Sequence, residues 1–232
     1  EAATLDLLSD GRFELGIGAG WLKAEYDMTG IPFDRPGVRV ARMEEAVRVV
    51  KGLAAEEPLN FAGEHYRIAG FVGAPKPVQR PLPPLYIGGG GKRLLSFSAR
   101  EADIVGICAK ALPQGGLDEA DITVESARRK LGWVREASAD RTSMPELNVL
   151  LYRFELTDDR AGVAERHAAG FPGLTAADVL ESPHILIGTA EQMAEDLLRR
   201  RDALGFSYVV LNTGVPEHLE QFALVVALLA GQ

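Results

Sequence analysis

One cysteine, Cys108, is all the sequence has. A single thiol excludes an internal disulfide framework and suits a reducing compartment, so the cytoplasm is the expected location. Long hydrophobic runs are scarce too. The longest near a terminus, FALVVALLA at 222–230, falls far short of the roughly 20 residues that span a bilayer, and reads as a buried helix. Basic charge is in deficit, with 25 Lys and Arg against 33 Asp and Glu and a formal net charge of -8. That balance excludes a broad electrostatic footprint for nucleic acid or an anionic membrane surface. Any anionic ligand must be held locally, by a few basic groups and backbone amides. The histidines His65, His167, His184 and His218 are scattered, with no i,i+4 pair and no cysteine neighbour, so no metal site is expected. A starting Met and an N-cap are missing as well: the chain opens on Glu1 inside EAATLDLLSDG. Ala2, Leu5 and Leu8 there recur at helical spacing, and Gly11 stands where a left-handed cap belongs. The expectation is a chain that begins inside an element, from a natural protein that extends upstream.

What is present is enough for one sizeable core. At 232 residues and 47% apolar composition, a single α/β domain over 1–232 is expected. RFELGIGAG at 12–20 reads as a short strand ending in glycines. A loop with Pro32 and Pro36 follows, then a helix from 39 to 53 with Val40, Met43, Val47 and Val50 as its apolar stripe. NFAGEHYRIAG at 60–70 alternates as a small hairpin does. The pattern then repeats: strand LYIGG, helix 92–101, strand ADIVGI, helix 122–136, strand 146–156, a longer and mainly helical segment, strand SYVVLN, helix 217–229. Within that helical segment Thr189 and Gln192 have capping-box spacing, Glu195 with Arg199 and Asp196 with Arg200 are set for i,i+4 pairing on a solvated face, and Gly205 can end the helix. Five apolar strands each followed by a helix imply a parallel sheet, either doubly wound or part of a (β/α)8 barrel. Eight units at this spacing would need roughly 300 residues or more, so the barrel would place three strands upstream.

In either architecture ligands sit at the carboxyl ends of the strands. Gly16, Gly18 and Gly20 follow the first strand there, and Gly88, Gly89, Gly90 and Gly91 follow the second. The second cluster opens into a helix whose first amides are unpaired and carry the positive end of the dipole. A phosphate suits that position, with Lys92 and Arg93 supplying local charge. The run matches neither common phosphate loop: Tyr86 stands where a Walker A loop has Gly, and Trp21 where the dinucleotide fingerprint ends in Gly. The competing expectation is that these glycines only make tight turns or let helix pack on strand.

Taken in order, RFELGIGAGW, EYDMTGIPF, RVARMEEAVRVVKGL, FAGEHYRI, PKPVQRPLPPLYIGGGGKRLLSFSAREAD and LIGTAEQMAEDL resemble the luciferase-like flavin-dependent oxidoreductases, most of all the branch using the deazaflavin F420. The likeness runs from residue 1 to about 212. It implies a partial TIM barrel with strands four to eight present and the first three βα units missing. Its C-terminal face would hold F420, or alternatively FMN, with Ala19 and Gly20 beside the isoalloxazine and Gly88 to Gly91 with Lys92 at the phosphate. Glu25 and Tyr26 fall near the ring system. The catalytic residues of relatives lie largely on the first strands, so none is named here. Hydride transfer between deazaflavin and a small organic substrate is expected, with an FMN-dependent monooxygenase and a non-catalytic partial barrel as the alternatives. The resemblance also implies a possible homodimer. Trp21 either walls the cofactor pocket or packs under the following loop, and Cys108 is expected to be a buried, unreactive thiol.

Overall fold

The computed structural model describes residues 1–112, 114, 117–171 and 173–232. Five parallel strands form the main sheet in the order β1-β4-β5-β6-β9: Leu15–Ile17, Leu85–Gly89, Ile104–Ile107, Glu146–Leu151 and Phe206–Leu211. Register runs from Ile17 opposite Ile87, through Ile87 opposite Val105 and Val105 opposite Leu147, to Val149 opposite Val209. The helices packed on it are α3 (Pro36–Ala54), α4 (Lys92–Glu101), α5 (Val124–Ala137), α8 (Ala190–Leu204) and α9 (Pro216–Leu229), with short α1 (Ala2–Leu8) ahead of β1 and α2 (Lys23–Thr29) after it. Strands β2 (Leu59–Ala62) and β3 (Arg67–Phe71) make the expected antiparallel hairpin. The Glu45 carboxylate accepts the amides of Glu64, His65 and Tyr66 at its turn. An α/β fold with a parallel sheet is therefore present.

Burial follows position in the sheet. Central β5 is buried along its whole length, whereas β1 and β9, which lack an outer neighbour among the described residues, are mostly half-buried. Leu85, Ile87, Val105 and Ile107 meet Leu95 and Phe97 of α4 and Leu131 and Val134 of α5 in one cluster. Each such side chain contributes about 1.5–3 kcal/mol by leaving water. Thr189 and Gln192 form the capping box of α8, and Gly205 closes that helix at φ +87°.

Several expectations are corrected. The run 146–156 is two strands, because the chain bends at Tyr152. Its second half, β7 (Arg153–Leu156), leaves the main sheet to pair with β8 (Ile185–Gly188). That strand lies inside the stretch expected to be helical, where α6 (Arg160–Gly170) and α7 (Ala176–Glu181) account for the rest. The stretch after Trp21 contains α2, not only loop. On α1 the apolar residues are outside, Leu5 and Leu8 exposed, while the carboxylate of Asp6 is buried against the amide and side chain of Gln79. On α3, Val49 rather than Val50 is buried. Helix α9 buries Val225 and exposes Leu224, Val226 and Leu228. On α8 the expected solvated pairs are absent: Asp196 is buried between Arg160 and Arg199, and buried Arg200 donates to the carbonyls of Pro183 and Ile185. Those carbonyls bracket the entrance to β8, which explains why a cation is drawn inward. The accessible surface of 12506 Å² exceeds the roughly 10,200 Å² expected of a folded chain this size. The apolar outer faces of α1 and α9 are part of that excess.

Candidate functional site

Because β1, β4 and β5 run parallel, their carboxyl ends deliver both glycine clusters to one rim. Gly88 and Gly89 are still in β4, opposite Gly106 and Ile107. Gly91 is the N-cap of α4 and provides no side-chain cap, so the first amides of that helix lack intrahelical partners. A Cβ on Gly90 would lie 2.6 Å from the carbonyl carbon and oxygen of Ala109 and from the Cα of Lys110, whereas one on Gly91 would meet nothing within 4 Å among the described residues. The turn is thus pressed on one side against the loop after β5 and open on the other. Lys92 leans away toward Glu136 at 3.8 Å with its side chain 61% exposed. Arg93 is committed to Glu44 on α3 at 2.8 Å.

After β1, Gly20 has φ +70°, and a Cβ there would lie 2.0 Å from the Tyr26 hydroxyl. That hydroxyl donates to the Ala19 carbonyl at 3.3 Å, and Arg39 Nε donates to the Gly20 carbonyl at 3.2 Å while its guanidinium stacks on Phe33. The positive φ, with the Tyr26 ring close by, therefore calls for glycine at position 20. Glu25 is exposed in the first turn of α2.

Next to the glycine turn lies a hollow of about 270 Å³, walled by Trp21, Ala109, Ile122, Tyr152, Phe171 and Ile185, with Leu117, Asp118 and Arg153 completing it. Ala109 belongs to both, touching the Gly90 position on one side and the hollow on the other. Trp21 is at its mouth, 43% exposed. The bend at Tyr152 turns that ring into the wall, and its hydroxyl accepts the Ala109 amide at 2.9 Å.

Under this wall is a knot of buried charge. Lys130 Nζ meets Asp121 Oδ2 at 2.6 Å and donates to the Cys108 carbonyl at 2.8 Å. Asp121 also accepts the Lys110 amide at 2.7 Å, the Ser126 hydroxyl and Arg129. Burial would raise the Asp121 carboxyl, but the hydrogen bonds from Lys130 and Ser126 outweigh it and hold it below the ordinary range. Burial lowers the Lys130 ammonium despite Asp121. Burial raises both the Cys108 thiol and the Tyr152 phenol, so both stay protonated at neutral pH. Behind Tyr152, His184 is fully buried, donates from Nδ1 to the Leu150 carbonyl at 2.9 Å and, among the described residues, leaves Nε2 without a partner. Burial pulls its pKa down to about 4.

Sequence reasoning missed Tyr152, Phe171, Ile185, Asp121 and Lys130. Lys130 left a signal: it interrupts the stripe Ala127, Leu131, Val134 on α5, all buried, and a lysine on such a face needs a buried partner.

The family profile described as luciferase-like monooxygenase matches residues 1–172. Over 103 residues the chain is 32% identical to an FMNH(2)-dependent dimethylsulfone monooxygenase of Pseudomonas putida, a match taking in 44% of this chain and 28% of that protein. Over 101 residues it is 38% identical to an F420-dependent glucose-6-phosphate dehydrogenase of Kineococcus radiotolerans, taking in 44% and 29%. The chain therefore spans under a third of the length of these two curated relatives. Among solved structures, the coenzyme F420 dependent tetrahydromethanopterin reductase of Methanopyrus kandleri superposes with a TM-score of 0.71 at 16% identity, over 97% of this chain and 75% of that one.

Proposed function

The chain belongs to the luciferase-like monooxygenase family, and we propose that it is the cofactor-binding part of an F420-dependent oxidoreductase that exchanges a hydride with a small organic substrate. Its five-stranded sheet would supply strands four to eight of a (β/α)8 barrel, with the cofactor at the carboxyl ends. The observation that carries this reading is the glycine turn. It stands on the ligand-side rim, closes tightly on Ala109 through Gly90, leaves space at Gly91, and feeds an uncapped ten-residue helix beside an apolar hollow. A phosphate-bearing cofactor tail fits a cradle of this kind.

When bound, F420 supplies the hydride chemistry, and the protein supplies orientation and electrostatics. The amides of Gly88 to Gly91 would grip the tail phosphate, with the flexible ammonium of Lys92 swinging from Glu136 to add charge. Ala19 and Gly20 would border the ring, their turn held by Tyr26 and Arg39. Trp21, Tyr152 and Phe171 would keep water from the reacting face. Neither Cys108 nor Tyr152 acts as a base, since both hold their protons at neutral pH.

Titration with F420, followed by its visible absorbance and fluorescence, tests the assignment. Saturable F420 binding is the expected outcome. The Pseudomonas putida relative supports a second reading, an FMN-dependent monooxygenase, because the same turn serves either tail. Saturable binding of FMN with none of F420 would establish that reading in place of the first.

A further inference from the structure

The hollow beside the glycine turn combines two properties that together define a ligand. Its walls are mainly apolar and aromatic, with Trp21, Tyr152 and Phe171 around Ile122 and Ile185. Its volume of about 270 Å³ equals on the order of nine water molecules at liquid density. That is room for a compact molecule of roughly ten non-hydrogen atoms, just below the usual range for drug-sized ligands. Among the described residues few polar groups face the hollow, which serves a sugar poorly.

The charged groups on the wall are not equivalent. Asp118 is engaged in the protein's own structure, accepting the Ala120 amide at 3.2 Å as the cap of the 3-10 turn Glu119–Ile122. Arg153 is exposed, lies with its guanidinium carbon 5.9 Å from the Phe171 ring centre, and donates from Nη1 to the Tyr152 carbonyl at 2.9 Å. Among the described residues no carboxylate forms an ion pair with it. A guanidinium held by one backbone carbonyl keeps further donors in a plane, the arrangement that takes a carboxylate with paired hydrogen bonds. In a chain of net charge -8, such a local cation is what admits an anion.

We propose that this hollow is the substrate pocket and that its substrate is a compact aromatic or branched carboxylic acid. Its apolar body lies between Trp21, Tyr152 and Phe171, and its carboxylate rests on Arg153. The assignment builds on the oxidoreductase reading above, and the experiment separates the two.

Trp21 makes the pocket observable without turnover. The full chain is titrated with 3-phenylpropionate, 3-phenylpropanol and 3-phenylpropylamine while tryptophan fluorescence is followed; Trp21→Phe removes the signal and so distinguishes it from Trp133. The acid binds saturably and roughly tenfold or more tighter than the alcohol, as a charge-assisted hydrogen-bonded pair requires. Arg153→Gln brings the acid down to the alcohol's affinity without changing the alcohol, and Arg153→Lys keeps part of the preference. Equal affinity for acid and alcohol, preference for the amine, no saturable acid binding at millimolar concentration, or an Arg153→Gln variant that binds the acid as before would each overturn the proposal. Parallel titrations with F420 and FMN keep the failures apart. A bound cofactor with no preference for the acid removes the pocket assignment alone. Acid binding dependent on Arg153 with neither cofactor bound keeps the pocket and removes the oxidoreductase.

Discussion

Two neighbouring glycines allow stability and ligand binding to be separated. In Gly90→Ala the new Cβ arrives 2.6 Å from three backbone atoms of Ala109 and Lys110, where ordinary contact needs about 3.4 Å or more, so one loop must retreat by most of an ångström. It cannot do so freely. The Ala109 amide is fixed by Tyr152 and the Lys110 amide by buried Asp121. Overpacking against fixed backbone costs about 1–3 kcal/mol, which for a chain this long lowers the melting temperature by roughly 2–4 °C per kcal/mol. Gly91→Ala differs: φ is -100° and ψ 149°, both open to alanine, and the Cβ meets nothing within 4 Å among the described residues. At the N-cap of α4 glycine is preferred to alanine, so the change costs about 0.5–1 kcal/mol of stability through the cap alone. If the open side of the turn receives a phosphate, however, the same methyl stands in the ligand's way. Urea unfolding of both variants, paired with F420 and FMN titrations, checks this. Gly90→Ala takes the larger loss of stability, whereas Gly91→Ala gives up only the cap preference and loses roughly tenfold or more in cofactor affinity. Cofactor binding by Gly91→Ala at the parent affinity would refute the cradle and leave the four glycines as a matter of tight packing.

Other consequences follow from buried charge and from the open edges. His184 is neutral in the fold down to about pH 4 but titrates near 6.5 when unfolded; the unfolded chain therefore binds the extra proton between those values. Stability is full above pH 6.5 and falls by about 3 kcal/mol as pH drops toward 4. Denaturant titrations across that range should show the slope, and His184→Gln should flatten it; Asp121, with its depressed carboxyl, adds its own loss only at lower pH. Lys130→Met leaves the Asp121 carboxylate buried without its ammonium and should cost about 3–5 kcal/mol, much of it recovered when Asp121→Asn is added. The apolar outer faces of α1 and α9 should make the isolated chain self-associate. Light scattering after size exclusion tests this, with Leu224→Lys and Leu228→Lys together shifting the chain toward monomer, and a monomeric parent chain counting against it.

The alternation of strand and helix was legible because its signals are local. Helix α4 begins at Lys92 and ends at Glu101 as its pattern requires, and the Thr189 capping box and Gly205 cap bound α8 where side-chain chemistry demands. Hydrophobic periodicity was less dependable at the edges. Leu5 with Leu8 and Leu224 with Leu228 have core spacing yet face solvent, because a stripe is buried only where a neighbour covers it. Strand β8 escaped for the opposite reason. Four apolar residues between two helices read equally well as helix, and only its pairing with β7 beyond the Tyr152 bend decides the matter.

The candidate site divides along the same line. Its glycines stood out as a run, but the run does not say which of them serves packing: Gly20 is called for by its positive φ beside Tyr26 and Gly90 by the backbone of Ala109, while among the described residues none crowds Gly91. The glycine with no packing reason is therefore the more informative about ligand. The hollow had no linear signature, since Trp21, Ala109, Tyr152, Phe171 and Ile185 come from five segments and each alone passes for ordinary core. What joins hollow to turn is Ala109, its amide held by Tyr152 and its carbonyl pressed on Gly90, over a base pinned by Lys130 and Asp121. A buried ion pair rarely gains stability over an apolar replacement. Here it sits where the loop after β5 must stay fixed for the turn and the hollow to share a wall. Positioning that loop is accordingly the role the geometry gives it, and the Lys130→Met, Asp121→Asn pair should regain stability without regaining the parent's ligand affinity.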